Sequence, residues 1–191
     1  CIVAEILGCM DASACNYFVA ANVEDSSCEY CSCASSISVD GYSIGLEVYA
    51  EDGIPGMTTY RLYATTVNAT DVISGVVGED GIETYINTTT SFYQDPFGGA
   101  LGQISNPILY SIQPELEFDS YVTIGLTGPA DLAAGEVEVT AVESSPWVAP
   151  FEAGGSIALD GGFGGAWFTL NGASNAIAGD DLKVLLGQFT T

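Results

Sequence analysis

All six cysteines of this chain, Cys1, Cys9, Cys15, Cys28, Cys31 and Cys33, fall in its first 33 residues, and residues 34–191 contain none. An even set in so short a stretch reads as three disulfides made in an oxidising compartment, with the pairing open because spacing alone does not choose it. Zinc is the competing reading. Cys28, Cys31 and Cys33 are spaced as ligands, but the chain has no His and lacks the second CxxC of a zinc ribbon. Residues 1–33 are too few to bury a core, so covalent closure has to hold them. A disulfide closing about 15 residues restricts the unfolded chain by roughly 3 kcal/mol on an entropic account.

From Ser35 onward the pattern changes to alternation. Tyr42, Ile44, Leu46, Val48 and Ala50 point one way, and Ser43, Gly45, Glu47, Tyr49 and Glu51 the other, the period of a half-buried strand. Residues 51–56 supply turn chemistry. Further strands are expected over 58–68, 84–92, 120–127, 136–142, 156–159, 166–171 and 182–189. Asp71 opens a short helix candidate over 71–77, residues 95–107 read as loop, and a helical turn is expected over 108–111. About eight strands with Gly-rich and Pro-rich turns and at most one or two short helices predict an all-β protein. The expected architecture is a β-sandwich or jelly-roll-like domain over 34–191, preceded by a disulfide-rich module over 1–33.

The chain opens on Cys1-Ile2-Val3-Ala4-Glu5-Ile6-Leu7, an apolar, β-prone segment. It is expected either to pair within its own domain or to join the sheet of a neighbouring copy, with Ile2, Val3, Ile6 and Leu7 as the assembly residues. A cysteine at the first position, with no leader ahead of it, predicts a mature product from which a leader was removed. No apolar run is long enough for a membrane-spanning helix.

The charge balance narrows the partners. Twenty-five acidic residues stand against Arg61 and Lys183, a formal net charge of −23. Nucleic acid is excluded, because binding phosphates requires the Lys and Arg this chain lacks. Anionic membrane surfaces are disfavoured for the same reason. The hydrophobic share is 48% and the charged share 14%, so some apolar surface is expected to meet a partner.

Gly8-Cys9-x-Asp11-x-x-Ala14-Cys15-Asn16-Tyr17, followed by Ala21 and Asp25-x-Ser27-Cys28-Glu29-Tyr30, resembles the short cysteine repeat of large secreted surface and fibre proteins of aquatic bacteria. Segments such as Pro55-Gly56-Met57-Thr58-Thr59-Tyr60-Arg61 and Gly164-Gly165-Ala166-Trp167 are similar to a β module that follows such repeats and has no established activity. The resemblance implies an extracellular or cell-surface setting and repetition. Those proteins form long arrays, whereas this chain carries one repeat and one β domain. Copies must therefore join non-covalently, head to tail, to reproduce the array.

The acidic residues admit two further chemistries. Calcium needs oxygen-rich acidic loops, and Asp11, Glu24 and Asp25 are the candidate ligands, although no EF-hand spacing is present. Paired carboxylates could act as acid and base, yet Asp52, Asp80, Asp160, Asp180 and Asp181 all neighbour glycines in turns, where solvated carboxylates are the ordinary outcome. Without His, and with oxidised cysteines and a single Lys, the usual nucleophile and base pairs are missing, so no enzyme is expected. Trp147, Trp167 and the tyrosines would make a sugar-stacking platform if exposed; Trp147, after a proline, is the better candidate, and Trp167 should face opposite to Phe168. Asn68 and Asn87 head glycosylation triplets. Two functions follow as expectations: a fibril or surface-filament subunit whose partner is itself, joined by its N-terminal strand, or a glycan-binding adhesion module.

Overall fold

Alternating apolar residues bounded by turn-forming clusters produce strands, and nearly all of the regular structure is strand. The protein is seen here in a computed structural model, which describes residues 7–11, 14, 18–28, 41–162 and 164–191. It divides into two compact units, Cys1–Ser38 and Val39–Thr191. Cys1, Cys15, Cys31 and Cys33, together with Ile2, Val3 and Ile6, lie outside the described residues.

In the first unit, β1 (Leu7–Gly8) pairs in parallel with β2 (Val23–Glu24). Two residues per strand cannot hold a fold. A disulfide between Cys9 and Cys28, with Cα atoms 4.7 Å apart, ties the end of β1 to the chain just past β2. Cys9 is buried, and its carbonyl accepts a hydrogen bond from the amide of Phe18. The bridge closes a sequence separation of 19 residues, which restricts the unfolded chain by about 3 kcal/mol. A digest without reductant should release the peptide around Cys9 joined to that around Cys28; mass spectra pairing Cys9 with any other cysteine would contradict this connectivity.

The second unit is all-β and sandwich-like. Its larger sheet runs β3 (Ser43–Glu51), β4 (Thr58–Thr65), β11 (Lys183–Thr190) and β7 (Tyr121–Val122), antiparallel throughout. A second antiparallel sheet runs β5 (Gly75–Gly78), β10 (Gly165–Phe168) and β8 (Thr140–Glu143). The pair β6 (Thr84–Ile86) and β9 (Ile157–Leu159) forms a third. One core collects Ala64, Val184 and Phe189 from the larger sheet, Trp167 from the second, and Ile157 and Leu159 from the third. Phe92, Phe151 and Phe189 pack as an aromatic trio at its centre, with ring centroids 5.5 to 6.1 Å apart. The Phe92–Phe151 and Phe151–Phe189 contacts are edge-on, an arrangement that adds about 0.5–1.5 kcal/mol each beyond burial.

Several expectations are corrected. Residues 71–77 do not form a helix. The Asp71 carboxylate turns back to accept from the amides of Val67 (3.2 Å) and Asn68 (2.9 Å) and from the Tyr42 hydroxyl (2.9 Å), so no cap remains for amides ahead. Gly75–Gly78 pairs instead with β10. Helical turns are also more numerous than expected, with five short 3-10 segments and the five-residue α1 (Val148–Glu152) among the described residues. Their start signals are local. Asn106 caps the amide of Ile108 ahead of Pro107–Ser111, which includes the helical turn expected over 108–111, and Asp131 caps Ala133 and Ala134 before Gly135 closes the turn in the left-handed region. The expected strand over 120–127 shrinks to Tyr121–Val122, because the chain turns at Gly125 (φ 69°), where an added Cβ would lie 1.9 Å from the Asn175 carbonyl oxygen. The strand expected over 84–92 likewise ends at Ile86; Phe92 is in the core.

Candidate functional site

The residues singled out from the sequence fall into separate places. In the first unit, the Glu24 carboxylate accepts from the amides of Met10 (2.7 Å) and Ser26 (3.0 Å), and Asp25 accepts from the amide of Ser27 (3.0 Å). The Ser27 hydrogen bond holds the Asp25 carboxyl below its ordinary pKa. Cys9, Glu24 and Cys28 bring their ligand atoms within 4.8 Å of one another, but both sulfurs belong to the disulfide. Cys28 is thereby removed from the zinc set. The glycine-flanked Asp52, Asp80, Asp160, Asp180 and Asp181 are all exposed. Asp52 closes its own turn by accepting from the Gly56 amide (3.1 Å), and Asp160 accepts from the Tyr85 hydroxyl (3.2 Å). Asn68 and Asn87 are exposed, and the Asn68 amide group donates to Asp71.

Trp147 is not exposed. Both indoles are core, at 1% and 0% exposure with rings 5.9 Å apart, and each N–H donates to a backbone carbonyl, Trp147 to Val142 and Trp167 to Thr123. A tryptophan after a proline in a short helical turn packs inward here because the second sheet supplies both an apolar wall and that carbonyl. Trp167 does face opposite to Phe168, as the alternation requires. The two residues best suited to sugar stacking are therefore unavailable to solvent.

A constellation that the sequence reading missed sits behind the larger sheet. Asp119 is fully buried, and its two oxygens accept from the amides of Asp95 (2.7 Å) and Gly99 (3.1 Å). Asp95, also buried, accepts from the Phe97 amide (2.9 Å), from Gln113 Nε2 (2.9 Å) and from the Tyr93 hydroxyl (3.2 Å). The next amide along, that of Ala100, donates to Glu152 (3.1 Å). Burial pushes the Asp119 carboxyl up to about 7, against the pull of the two amides, and the neighbouring Asp95 charge adds to the rise. Burial likewise raises the Tyr93 hydroxyl well above its ordinary pKa. The only sequence signal was the close spacing of acids at 115, 117 and 119; nothing local placed them against loop 95–99. Chemically, the arrangement ties a loop down and takes up a proton near neutral pH.

The other unusual surface is β3. Register pairs run Ile44 to Ala64 to Val184, and Val48 to Tyr60 to Phe189, so Ile44, Leu46 and Val48 share the face that holds the core. They are nonetheless 45%, 48% and 56% exposed. The expected half-burial of this face is corrected: the alternation holds from Ile44 to Val48 but leaves these side chains exposed, and the bulge after Val48 pairs Ala50 with Thr59, on the opposite face from the one expected. Among the described residues β3 pairs only with β4. The opposite, polar face carries both cations. Arg61 lies 3.7 Å over the Tyr49 ring and donates to Gln188 (3.0 Å), while Lys183 pairs with Glu47.

No helix of the described residues is long and apolar enough to cross a membrane. A scan of protein-family models, a search of curated proteins and a search of solved structures each return no match to this chain.

Proposed function

We propose that this chain is a structural subunit that assembles with copies of itself into an extracellular fibril or surface filament, joined head to tail through its N-terminal strand. The supporting observation is β3, a nine-residue strand that among the described residues is paired on one side only and carries apolar side chains in solvent. Long, apolar, unprotected edges template pairing with another chain, and proteins that stay monomeric blunt them with short strands, Lys, Pro or coverage. A contact between two different patches of the same molecule does not close on itself unless rotation brings it round, so it propagates. The charge sets the conditions: at −23 per copy, assembly should require salt, since the Debye length falls from about 30 Å at 0.01 M to about 3 Å at 1 M.

Electron microscopy of the purified full chain in molar salt, with and without calcium, should reveal filaments. Deleting residues 1–7 should leave the far-ultraviolet spectrum of the β domain in place and abolish elongation. A wild-type chain that stays monomeric throughout, or filaments of normal length from the truncated chain, would overturn the reading.

A further inference from the structure

We propose that the outer edge of β3 is the acceptor for residues 1–6 of a second copy, laid against it as a fifth strand of the larger sheet. This rests on the filament reading above and names the site it uses.

Three observations converge on that edge. First, the core face of the larger sheet is a set of rows crossing β3, β4 and β11, covered at Val184 and Phe189 and bare at Ile44, Leu46 and Val48. The apolar layer thus stops one strand short of its own edge, and an added strand with apolar side chains on this face would continue it. Secondly, the β3 register is unbroken from Ser43 to Val48 and slips at a bulge between Val48 and Ala50. Six extended residues, roughly 20 Å, are what that run can pair before the bulge twists the edge away. The segment ahead of β1 is residues 1–6. Thirdly, the alternation of that segment fits one face only. Ile2, Ala4 and Ile6 share a side, and Val3 and Glu5, its one charged residue, lie on the other.

With Ile2, Ala4 and Ile6 on the core side, Glu5 falls on the face of Ser43, Gly45 and Glu47. Lys183 already stands there on Glu47, and an added Cβ at Gly45 would meet nothing within 4 Å. That face therefore has room and one of the chain's two positive charges for a second carboxylate. The opposite register would push Glu5 onto the apolar face, where an unpaired charge is strongly disfavoured. Strand addition of this kind gains its affinity from the backbone ladder and its selectivity from alternate side chains.

The test uses the full chain carrying Ile2→Asp and Ile6→Asp, which disables its own strand, titrated with a fluorescent peptide of residues 2–7. Saturable binding is expected, and adding Leu46→Lys should weaken it by about tenfold or more. Leu132→Lys, at an exposed site away from β3, should leave it unchanged. No binding, or binding indifferent to Leu46→Lys, would overturn the proposal even if the wild-type chain forms filaments. A monomeric wild-type chain that refuses the peptide while the double variant binds it would place a chain's own strand on its own edge, which also overturns the proposal. Absence of filaments from the wild type, by contrast, bears on the filament reading.

Discussion

Gly98→Ala should destabilise the β domain by about 3 kcal/mol or more, enough to shift its urea midpoint strongly or prevent folding. A Cβ at this position would lie 1.8 Å from Asp119 Oδ2 and 2.4 Å from its Cγ, far inside contact distance. Asp119 has no room to withdraw. Its side chain is held by the amides of Asp95 and Gly99, and its own carbonyl accepts from Gln188 Nε2 (3.0 Å), a fully buried side chain on β11 that also accepts from Arg61. Relief must come from moving loop 95–99, which strands a buried carboxylate without its donors, one of the costlier defects a core can suffer. Gly45→Ala is the control, because nothing lies within 4 Å of its Cβ; it should change stability by less than about 0.5 kcal/mol. Chemical denaturation followed by tryptophan fluorescence reads both, since Trp147 and Trp167 are buried. A Gly98→Ala protein as stable as the wild type would refute the packing described for Asp119.

The same carboxylate should make stability fall as the pH rises through neutrality. Its pKa in the fold is about 7, against an ordinary 3.8, so the folded state binds this proton more tightly than the unfolded chain does. The contribution is fully present below about pH 4, declines by roughly 1.4 kcal/mol per pH unit, and levels off above pH 7. Between pH 5.5 and 8 the loss should amount to about 2 kcal/mol. The chain has no His and ordinary carboxylates are ionised above about pH 5.5, so the α-amino group is the other common titrating group in the window, and comparison with Asp119→Asn removes its share. Asp119→Asn should be less stable at pH 5.5, since an amide nitrogen then confronts a backbone N–H, and its profile should be flat across the window. Equal midpoints for the wild type at pH 5.5 and 8 would show that Asp119 is ionised in the fold throughout.

These two expectations rest on what no local pattern reveals. Asp119 looks like any acid in a stretch with Glu115 and Glu117, and only the arrival of loop 95–99, some twenty residues away in sequence, removes its water and supplies its donors. Asp71 reads as a helix cap and is instead the closing residue of the turn before it, where its carboxylate accepts from the Val67 and Asn68 amides.

Determined by the sequence itself were the all-β class, the division of labour between a cystine-held head and a β domain, and the alternation that sets Trp167 opposite Phe168. Such properties depend on neighbours along the chain, where side-chain period and turn residues act directly. Tertiary structure alone decided whether each apolar face is covered. It buried Trp147 against the second sheet and left Ile44, Leu46 and Val48 in solvent, because burial is a relation between surfaces that meet, and periodicity specifies only one of the two.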